Sequence, residues 1–137
     1  MKLLFENWRH YLLEDMDTEQ VRKAVLINDE DKVLILRSSD KNEKHAGEWD
    51  LPGGHIIEGE DIEDGLLREV WEETSLKIKN PVKLHSNGND TYYMADLPDT
   101  EIKLSDEHTE HKMFSLEDLE DLNLPDKYAK AVKETLS

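Results

Sequence analysis

The segment that most constrains this chain is the run GHIIEGEDIEDGLLREVWEETSL, residues 54–76. Within it Glu69, Glu72 and Glu73 stand at positions i, i+3 and i+4, so a helix places their side chains on one face. Like charges at that spacing repel, and each pair destabilises an isolated helix by about 0.2–0.5 kcal/mol. A divalent cation held between the carboxylates would offset this repulsion. The run therefore predicts a helix that carries a metal site on one face.

The arc of the helix beside the carboxylates is apolar. We expect it to pack on a core and so to fix where the carboxylates point; it consists of Leu66, Leu67, Val70 and Trp71. Ligands that are all oxygen favour a hard cation, so the expected cofactor is Mg²⁺, with Mn²⁺ as the alternative. The chain has no cysteine, which excludes thiolate metal sites and cysteine nucleophiles.

A simpler interpretation is a solvated acidic surface, because 33 of the 137 residues are Asp or Glu and Glu-rich helices are usually exposed. The run, however, also fixes a glycine, an arginine and two apolar positions, namely Gly54, Arg68, Val70 and Leu76. Acidity alone does not require any of these four. Their presence favours a functional site.

Written as G-x5-E-x7-R-E-U-x-E-E-x-S-U, with U apolar, the run resembles the signature of the Nudix hydrolases, which has Gly where this chain has Ser75. The preceding WDLPGG segment, residues 49–54, is similar to the strand end and turn that lead into the signature in that family. The resemblance covers about residues 20–136. It implies an α/β fold of the Nudix type, in which a mixed β-sheet lies between helices as an α/β/α sandwich.

The resemblance also implies an activity, the Mg²⁺-dependent hydrolysis of a pyrophosphate bond in a nucleoside diphosphate linked to another group. Arg68 would orient a carboxylate ligand. The implied metal contacts are the carbonyl oxygen of Gly54, direct or water-mediated support from Glu60, and the carboxylates of Glu69, Glu72 and Glu73. Water attack at phosphorus is physically reasonable here, since the cation neutralises phosphate charge and a carboxylate takes the proton.

Outside the signature, the resemblance implies that Arg37 contacts phosphate at the end of a strand. It also implies that Glu107 and Glu110 supply a further carboxylate that binds metal or acts as a base, although a solvated loop is the alternative. Tyr92 and Tyr93 stand where members that cleave diadenosine polyphosphates stack a ring on a base. Two tyrosines in a strand also suit packing alone.

The substrate is left open among nucleoside triphosphates, dinucleoside polyphosphates and ADP-sugars. A second hypothesis is a catalytically idle Nudix module that binds a nucleotide or a protein partner. The intact set of Arg68, Glu69, Glu72 and Glu73 favours the enzyme, because a binding role alone does not need so many mutually repelling carboxylates.

The chain of 137 residues suits one core, and we expect residues 17–137 to form the Nudix domain. Residues 1–16 predict an amphipathic helix with Leu4, Trp8 and Leu12 on one face. This helix either packs on the domain or is a detachable leader, similar to the capsid-targeting leaders of tailed phages.

The net charge of −16 repels polyanions, so no general nucleic-acid binding is expected and a small-molecule nucleotide is the expected partner. No stretch approaches the roughly 20 apolar residues that span a bilayer, and the N-terminus lacks a secretion signal pattern. We therefore expect a soluble, cytoplasmic protein without a membrane partner. Dimerisation is left open.

The predicted elements follow from local patterns. Residues 21–27 and 33–37 predict a hairpin, residues 78–84 and 91–97 two further strands, and residues 101–104 a short one, before a polar segment over residues 105–112. A capping box begins a helix at Ser115 that continues to about Leu122, and a last helix follows Pro125. Asp61 is the expected N-cap of the signature helix. Ser75 stands where the family has a left-handed Gly, so we expect either the same conformation at a cost of about 1 kcal/mol or a changed turn.

Overall fold

The computed structural model describes residues 21–40, 46–57, 59–122 and 124–136. The predicted helix or leader at residues 1–16 lies outside these ranges. The described elements are β1 (Val21–Ile27), β2 (Val33–Ser38), β3 (Trp49–Asp50), β4 (Gly53–His55), α1 (Ile62–Thr74), β5 (Val82–Asn87), β6 (Asp90–Asp96), β7 (His108–Phe114), α2 (Leu116–Leu119) and α3 (Asp126–Leu136).

The strands form one mixed sheet. Its main order is β3-β2-β1-β6-β5, with β4 also paired to β1 and β7 also paired to β2. β1 and β6 run parallel, whereas β1–β2, the predicted hairpin, is antiparallel, as are the remaining pairs. The prediction of an α/β fold with a mixed sheet is confirmed.

Each face of the sheet is covered by a helix. Alternate residues of the central strands point to opposite sides, so the sheet has an apolar face on each side for a helix to pack on. On β1, Ala24 and Leu26 join the core beneath α1, and Val25 joins the core beneath α3. α1 contributes Leu66 and Val70 to the first core, and α3 contributes Ala131 and Val132 to the second. Two cores on one sheet give the predicted α/β/α sandwich and fix α1 against it.

α1 begins and ends at the residues expected from the sequence. Asp61 caps the N-terminus by accepting hydrogen bonds from the N–H groups of Glu63 and Asp64, at 2.9 and 3.3 Å. Ser75 ends the helix at φ 63° and ψ 17°, the left-handed conformation rather than a changed turn, and its N–H donates to the Trp71 carbonyl across 2.8 Å. The helix therefore has defined ends.

One expectation about α1 is wrong: Trp71 is 51% exposed and does not pack on the core. The buried face of the helix carries Leu66, Val70, Glu73 and Thr74, and Trp71 stands on the next arc. The position facing the sheet near the helix end is thus taken by a carboxylate, Glu73.

The second half of the chain differs from the predicted strands. The strand expected over residues 78–84 begins only at Val82, after Asn80 in a positive-φ conformation (49°) and Pro81. Residues 101–104 form no strand; their backbone is tied to the end of α1, where the Lys103 N–H donates to the Thr74 carbonyl across 2.9 Å. α2 has the predicted capping box but ends at Leu119.

The predicted polar segment at residues 105–112 contains most of β7, which pairs antiparallel with β2. Its sequence HTEHKMF lacks the apolar alternation that marks a half-buried strand, so the sequence pattern did not predict it. Among the helices of the described ranges, none has the length and apolar character needed to cross a bilayer.

Candidate active site

A cavity of about 850 Å³ lies beside the last two turns of α1. One part of its lining is acidic, with Glu69 and Glu73 from α1 and Asp106 and Glu107 from the segment before β7. The remainder comes from β1, the β3–β4 region, the first residue of β7 and the first turn of α3. These residues are Val21, Lys23, Asp50, Gly53, Gly54, His55, His108, Lys127 and Tyr128. Residues far apart in the sequence therefore share one space.

Arg68 organises the carboxylates at the edge of this cavity. It binds Glu60 with two N–H groups, at 2.8 and 3.2 Å, and donates to Glu69 and Glu72 at 3.0 Å each. The hydrogen bond from Arg68 lowers the pKa of Glu60, and the bonded glutamates in turn raise the pKa of Arg68 despite its partial burial. The repulsion expected among the signature glutamates is thus partly offset by one guanidinium.

Gly54 is in contact with Glu69. A methyl group placed on Gly54 would stand 2.8 Å from Oε2 of Glu69, closer than such atoms approach. The Glu69 side chain is 18% exposed, and burial raises the pKa of its carboxyl against the opposing effect of Arg68. The glycine of the signature therefore leaves room for this carboxylate next to the backbone.

Glu73 lies beneath the cavity surface, with 4% of its area exposed. Its Oε2 accepts a hydrogen bond from the Gly53 N–H across 3.1 Å. Burial raises the pKa of Glu73 to about 8, since it outweighs the nearby charge of Lys23 and the Gly53 hydrogen bond. In the metal-free protein this carboxyl is mostly protonated at neutral pH.

Lys23 is a buried lysine that sequence reasoning missed. Its ammonium group donates to Asp50 at 3.0 Å and to the carbonyls of Leu51 and Gly53 at 3.2 and 3.3 Å. Burial alone would lower the pKa of Lys23, but the charges of Asp50 and Glu73 raise it above its ordinary value. The available signal was a charged pair, Arg22 and Lys23, at the start of the otherwise apolar strand β1.

The carboxylates near β7 separate into two environments. Glu107 lines the cavity. Glu110 does not; it pairs with Lys112 at 3.0 Å and with Arg37 at 3.5 Å, and these two cations lower its pKa. Arg37 is exposed, donates to the Gly47 carbonyl at 3.1 Å and lies over the Trp49 ring. The structure therefore brings Glu107 to the cavity, and places Arg37 and Glu110 outside its lining.

His108 also faces this space. It is 8% exposed, and within the described residues its buried Nδ1 atom has no hydrogen-bond partner. Burial is the main cause that lowers the pKa of His108. The imidazole is therefore neutral at physiological pH.

The two tyrosines expected to stack on a base are both buried in β6. Tyr92 has no exposed surface and packs edge-on against Tyr128, with ring centroids 6.1 Å apart, and Tyr93 lies in the core beneath α1. Neither lines the cavity, because β6 is a central strand covered on both faces. Tyr128 of α3 lines it instead, a residue that the sequence marked only as part of a helix.

The donor set suits a hard divalent cation in its chemistry, because Glu69 and Glu73 border the same cavity and offer only oxygen. Within the part of the chain that the structure describes, no three His, Asp or Glu side chains stand close enough together to hold an ion as they are. Two of the signature carboxylates, Glu69 and Glu72, are bound to Arg68, and the third, Glu73, is bound to the Gly53 N–H. Binding an ion through all three signature glutamates therefore needs side-chain rotations.

The sequence and the fold were compared with those of known proteins. The NUDIX domain profile matches residues 18–135, nearly the whole chain. The chain belongs to the Nudix family. The match includes the cavity, the signature helix and the β7 segment.

Individual relatives of this Nudix domain match shorter stretches. Nudix hydrolase 6 of Arabidopsis thaliana is 46% identical over 57 residues, which are 41% of this chain and 20% of that protein. The ADP-ribose pyrophosphatase of Methanocaldococcus jannaschii is 29% identical and covers 69% of this chain and 60% of its own length. The matched stretches thus span less than two thirds of these curated relatives. The crystal structure of a MutT protein from Methanosarcina mazei superimposes with a TM-score of 0.67 at 30% identity, over 84% of this chain and 90% of that one.

Proposed function

We propose that this Nudix domain is a Mg²⁺-dependent pyrophosphohydrolase that acts on a nucleoside diphosphate linked to another group. The observation that carries the proposal is the meeting of the signature carboxylates Glu69 and Glu73 with Glu107 in one cavity. Glu69 and Glu73 lie on α1 and Glu107 lies just before β7, and only the fold brings these two parts of the chain together. An acidic surface helix alone would not produce this convergence.

Glu69, Glu72 and Glu73 are the proposed holders of the cation, with support from Glu60 and the Gly54 carbonyl. The ion would neutralise charge on the phosphate oxygens and lower the pKa of water at the site, and Mn²⁺ would serve the same role. To bind the ion, Glu72 must give up its ion pair with Arg68. This exchange is small, since the Glu72 side chain is half exposed and Arg68 is its only partner among the described ion pairs. Arg68 keeps Glu60 and Glu69 in place during that exchange.

The residues of the chain then act on substrate and water. Glu107, from the segment before β7, accepts the proton of the water whose oxygen attacks phosphorus, while the bridging P–O bond breaks and the second phosphoryl group leaves with the electron pair. Lys127 and Tyr128 of α3 offer a cation and a partly buried ring to the rest of the substrate. A cavity of about 850 Å³ holds a molecule of nucleotide size.

The acidic protein favours a substrate that arrives with its counter-cation, because the net charge of −16 repels free polyphosphates. The proposed substrate classes are ADP-sugars, nucleoside triphosphates including oxidised ones, and dinucleoside polyphosphates. The first class has support from the relative named as an ADP-ribose pyrophosphatase.

The test is a panel of ADP-ribose, oxidised and ordinary nucleoside triphosphates and diadenosine polyphosphates, incubated with the protein and Mg²⁺ and separated by chromatography. We expect at least one compound to yield products cut at a pyrophosphate bond, and chelator to stop the reaction. Nucleotide binding without cleavage in the whole panel would contradict the proposal and favour the idle Nudix module.

A further inference from the structure

Among the described residues that line the cavity, Lys23 is the only lysine from β1. A buried cation beside a cavity of this kind suggests direct binding to phosphate. Donor counting argues otherwise. A lysine ammonium has three N–H donors, and Lys23 has three acceptors, at Asp50, Leu51 and Gly53. All three donors are in use inside the protein.

Two of these acceptors are backbone carbonyls in the short turn that links β3 to β4. The same turn supplies the Gly53 N–H that binds Glu73. Gly53 has φ 127°, a conformation that glycine adopts without strain, and an added methyl group would collide with the Arg22 carbonyl oxygen. This position therefore requires glycine.

The third acceptor, Asp50, extends the arrangement. Its Oδ2 takes the Lys23 hydrogen bond and its Oδ1 takes the Leu51 N–H at 2.8 Å. The Lys23 ammonium group also lies over the Tyr128 ring of α3, with Nζ 5.7 Å from the ring centroid. Lys23 therefore ties β1, the turn and α3 together directly behind Glu73.

We propose that Lys23 is a positioning residue, which holds the turn at residues 51–53 so that the Gly53 N–H is aimed at the Glu73 carboxyl. It acts through the turn and does not bind phosphate. The contact itself belongs to the fold of this chain, and its effect on turnover rests on the proposed hydrolase function.

The direct test is hydrogen exchange of the Gly53 amide, followed by NMR in the metal-free protein. Lys23→Met keeps an unbranched buried side chain and removes all three donors. We expect the Gly53 amide to exchange at least about 10-fold faster than in the wild type, because its hydrogen bond to Glu73 loses its support. The matched control is Lys32→Met, an exposed lysine paired with Glu30 at 3.5 Å, which should leave that rate unchanged.

A folded Lys23→Met protein whose Gly53 amide exchanges within about 2-fold of wild type would overturn the proposal. If this variant does not fold, Asp50→Asn takes its place, since it weakens one of the three contacts and keeps the shape of the side chain. Faster exchange at Gly53 is again the expected result, and an unchanged rate again overturns it.

Kinetics separate positioning from phosphate binding. With the compound that the panel identifies, Lys23→Met should lower kcat about 10-fold and leave KM within about 3-fold. A 10-fold rise in KM at unchanged kcat would contradict positioning and support a phosphate contact. If the panel shows no turnover, the proposed function fails, and the exchange measurement still decides the role of Lys23.

Discussion

The side chain of Glu73 and the backbone N–H of Gly53 are joined by a hydrogen bond of 3.1 Å across 20 positions of sequence. This bond places the last signature glutamate inside the protein, where burial raises its pKa to about 8. A cation that takes Glu73 as a ligand must therefore displace a proton at neutral pH. The proposed metal binding would thus be coupled to loss of a proton at this residue.

The raised pKa of Glu73 predicts a pH dependence of stability in the metal-free protein. Between about pH 4.5 and 8 the folded state binds this proton and the unfolded state does not, so the Glu73 contribution to stability falls as the pH rises through that window. Glu73→Gln keeps the acceptor for Gly53 and removes the titration. Thermal melts with chelator at pH 5, 6.5 and 8 measure the effect. Between pH 5 and pH 8, the melting temperature of the variant minus that of the wild type should rise by more than about 5 °C. If the melting temperatures of the two proteins change with pH by the same amount, the result would contradict a buried, protonated carboxyl at Glu73.

Mg²⁺ or Mn²⁺ should raise the melting temperature, because a ligand bound only by the native state stabilises it by mass action. Chelator should reverse the shift. Glu69→Gln, which removes a proposed ligand on the cavity side of α1, should abolish most of it. A wild-type melting temperature that does not move at millimolar metal would oppose a metal site that forms before substrate binds.

Gly54→Ala tests the contact between the backbone and Glu69. The added methyl group would stand 2.8 Å from Oε2 of Glu69, so the carboxylate must move, and we expect loss of the metal-dependent shift and of turnover in a protein that still folds. Gly88→Ala is the control. It lies in open space at φ +65°, so its cost of about 1 kcal/mol falls on the turn alone. Equal metal responses in the two variants would exclude a role for the Gly54 contact.

The sequence predicted the local parts of this structure. The cap at Asp61, the left-handed Ser75 and the β1–β2 hairpin depend on neighbouring residues, and all three are confirmed. β7 was missed because its polar side chains carry no strand pattern and its pairing partner, β2, is distant in sequence. The site follows the same division, since the signature glutamates are local whereas Lys23 and Tyr128 reach the cavity only through the packing of β1 and α3.

Removal of residues 1–14 tests the N-terminal segment. If this segment is a leader, a protein that starts at Asp15 should remain soluble, fold and keep its hydrolase rate. If Trp8 and Leu12 pack on the domain instead, burial of two such side chains is worth roughly 3–6 kcal/mol, and the truncated protein should melt at a clearly lower temperature. Chemical denaturation of both proteins measures the difference. A loss of that size would rule out the detachable leader.

The most direct test of the proposed hydrolase is turnover by Glu72→Gln beside Glu63→Gln, with Mg²⁺ and the compound that the panel identifies. Both glutamates are exposed on α1, but only Glu72 is bound to Arg68 at the signature face. Glu72→Gln should lower kcat at least about 100-fold with an unchanged fold, and Glu63→Gln should stay within about 2-fold of the wild type. Near-wild-type turnover by a folded Glu72→Gln protein would contradict the metal-dependent mechanism.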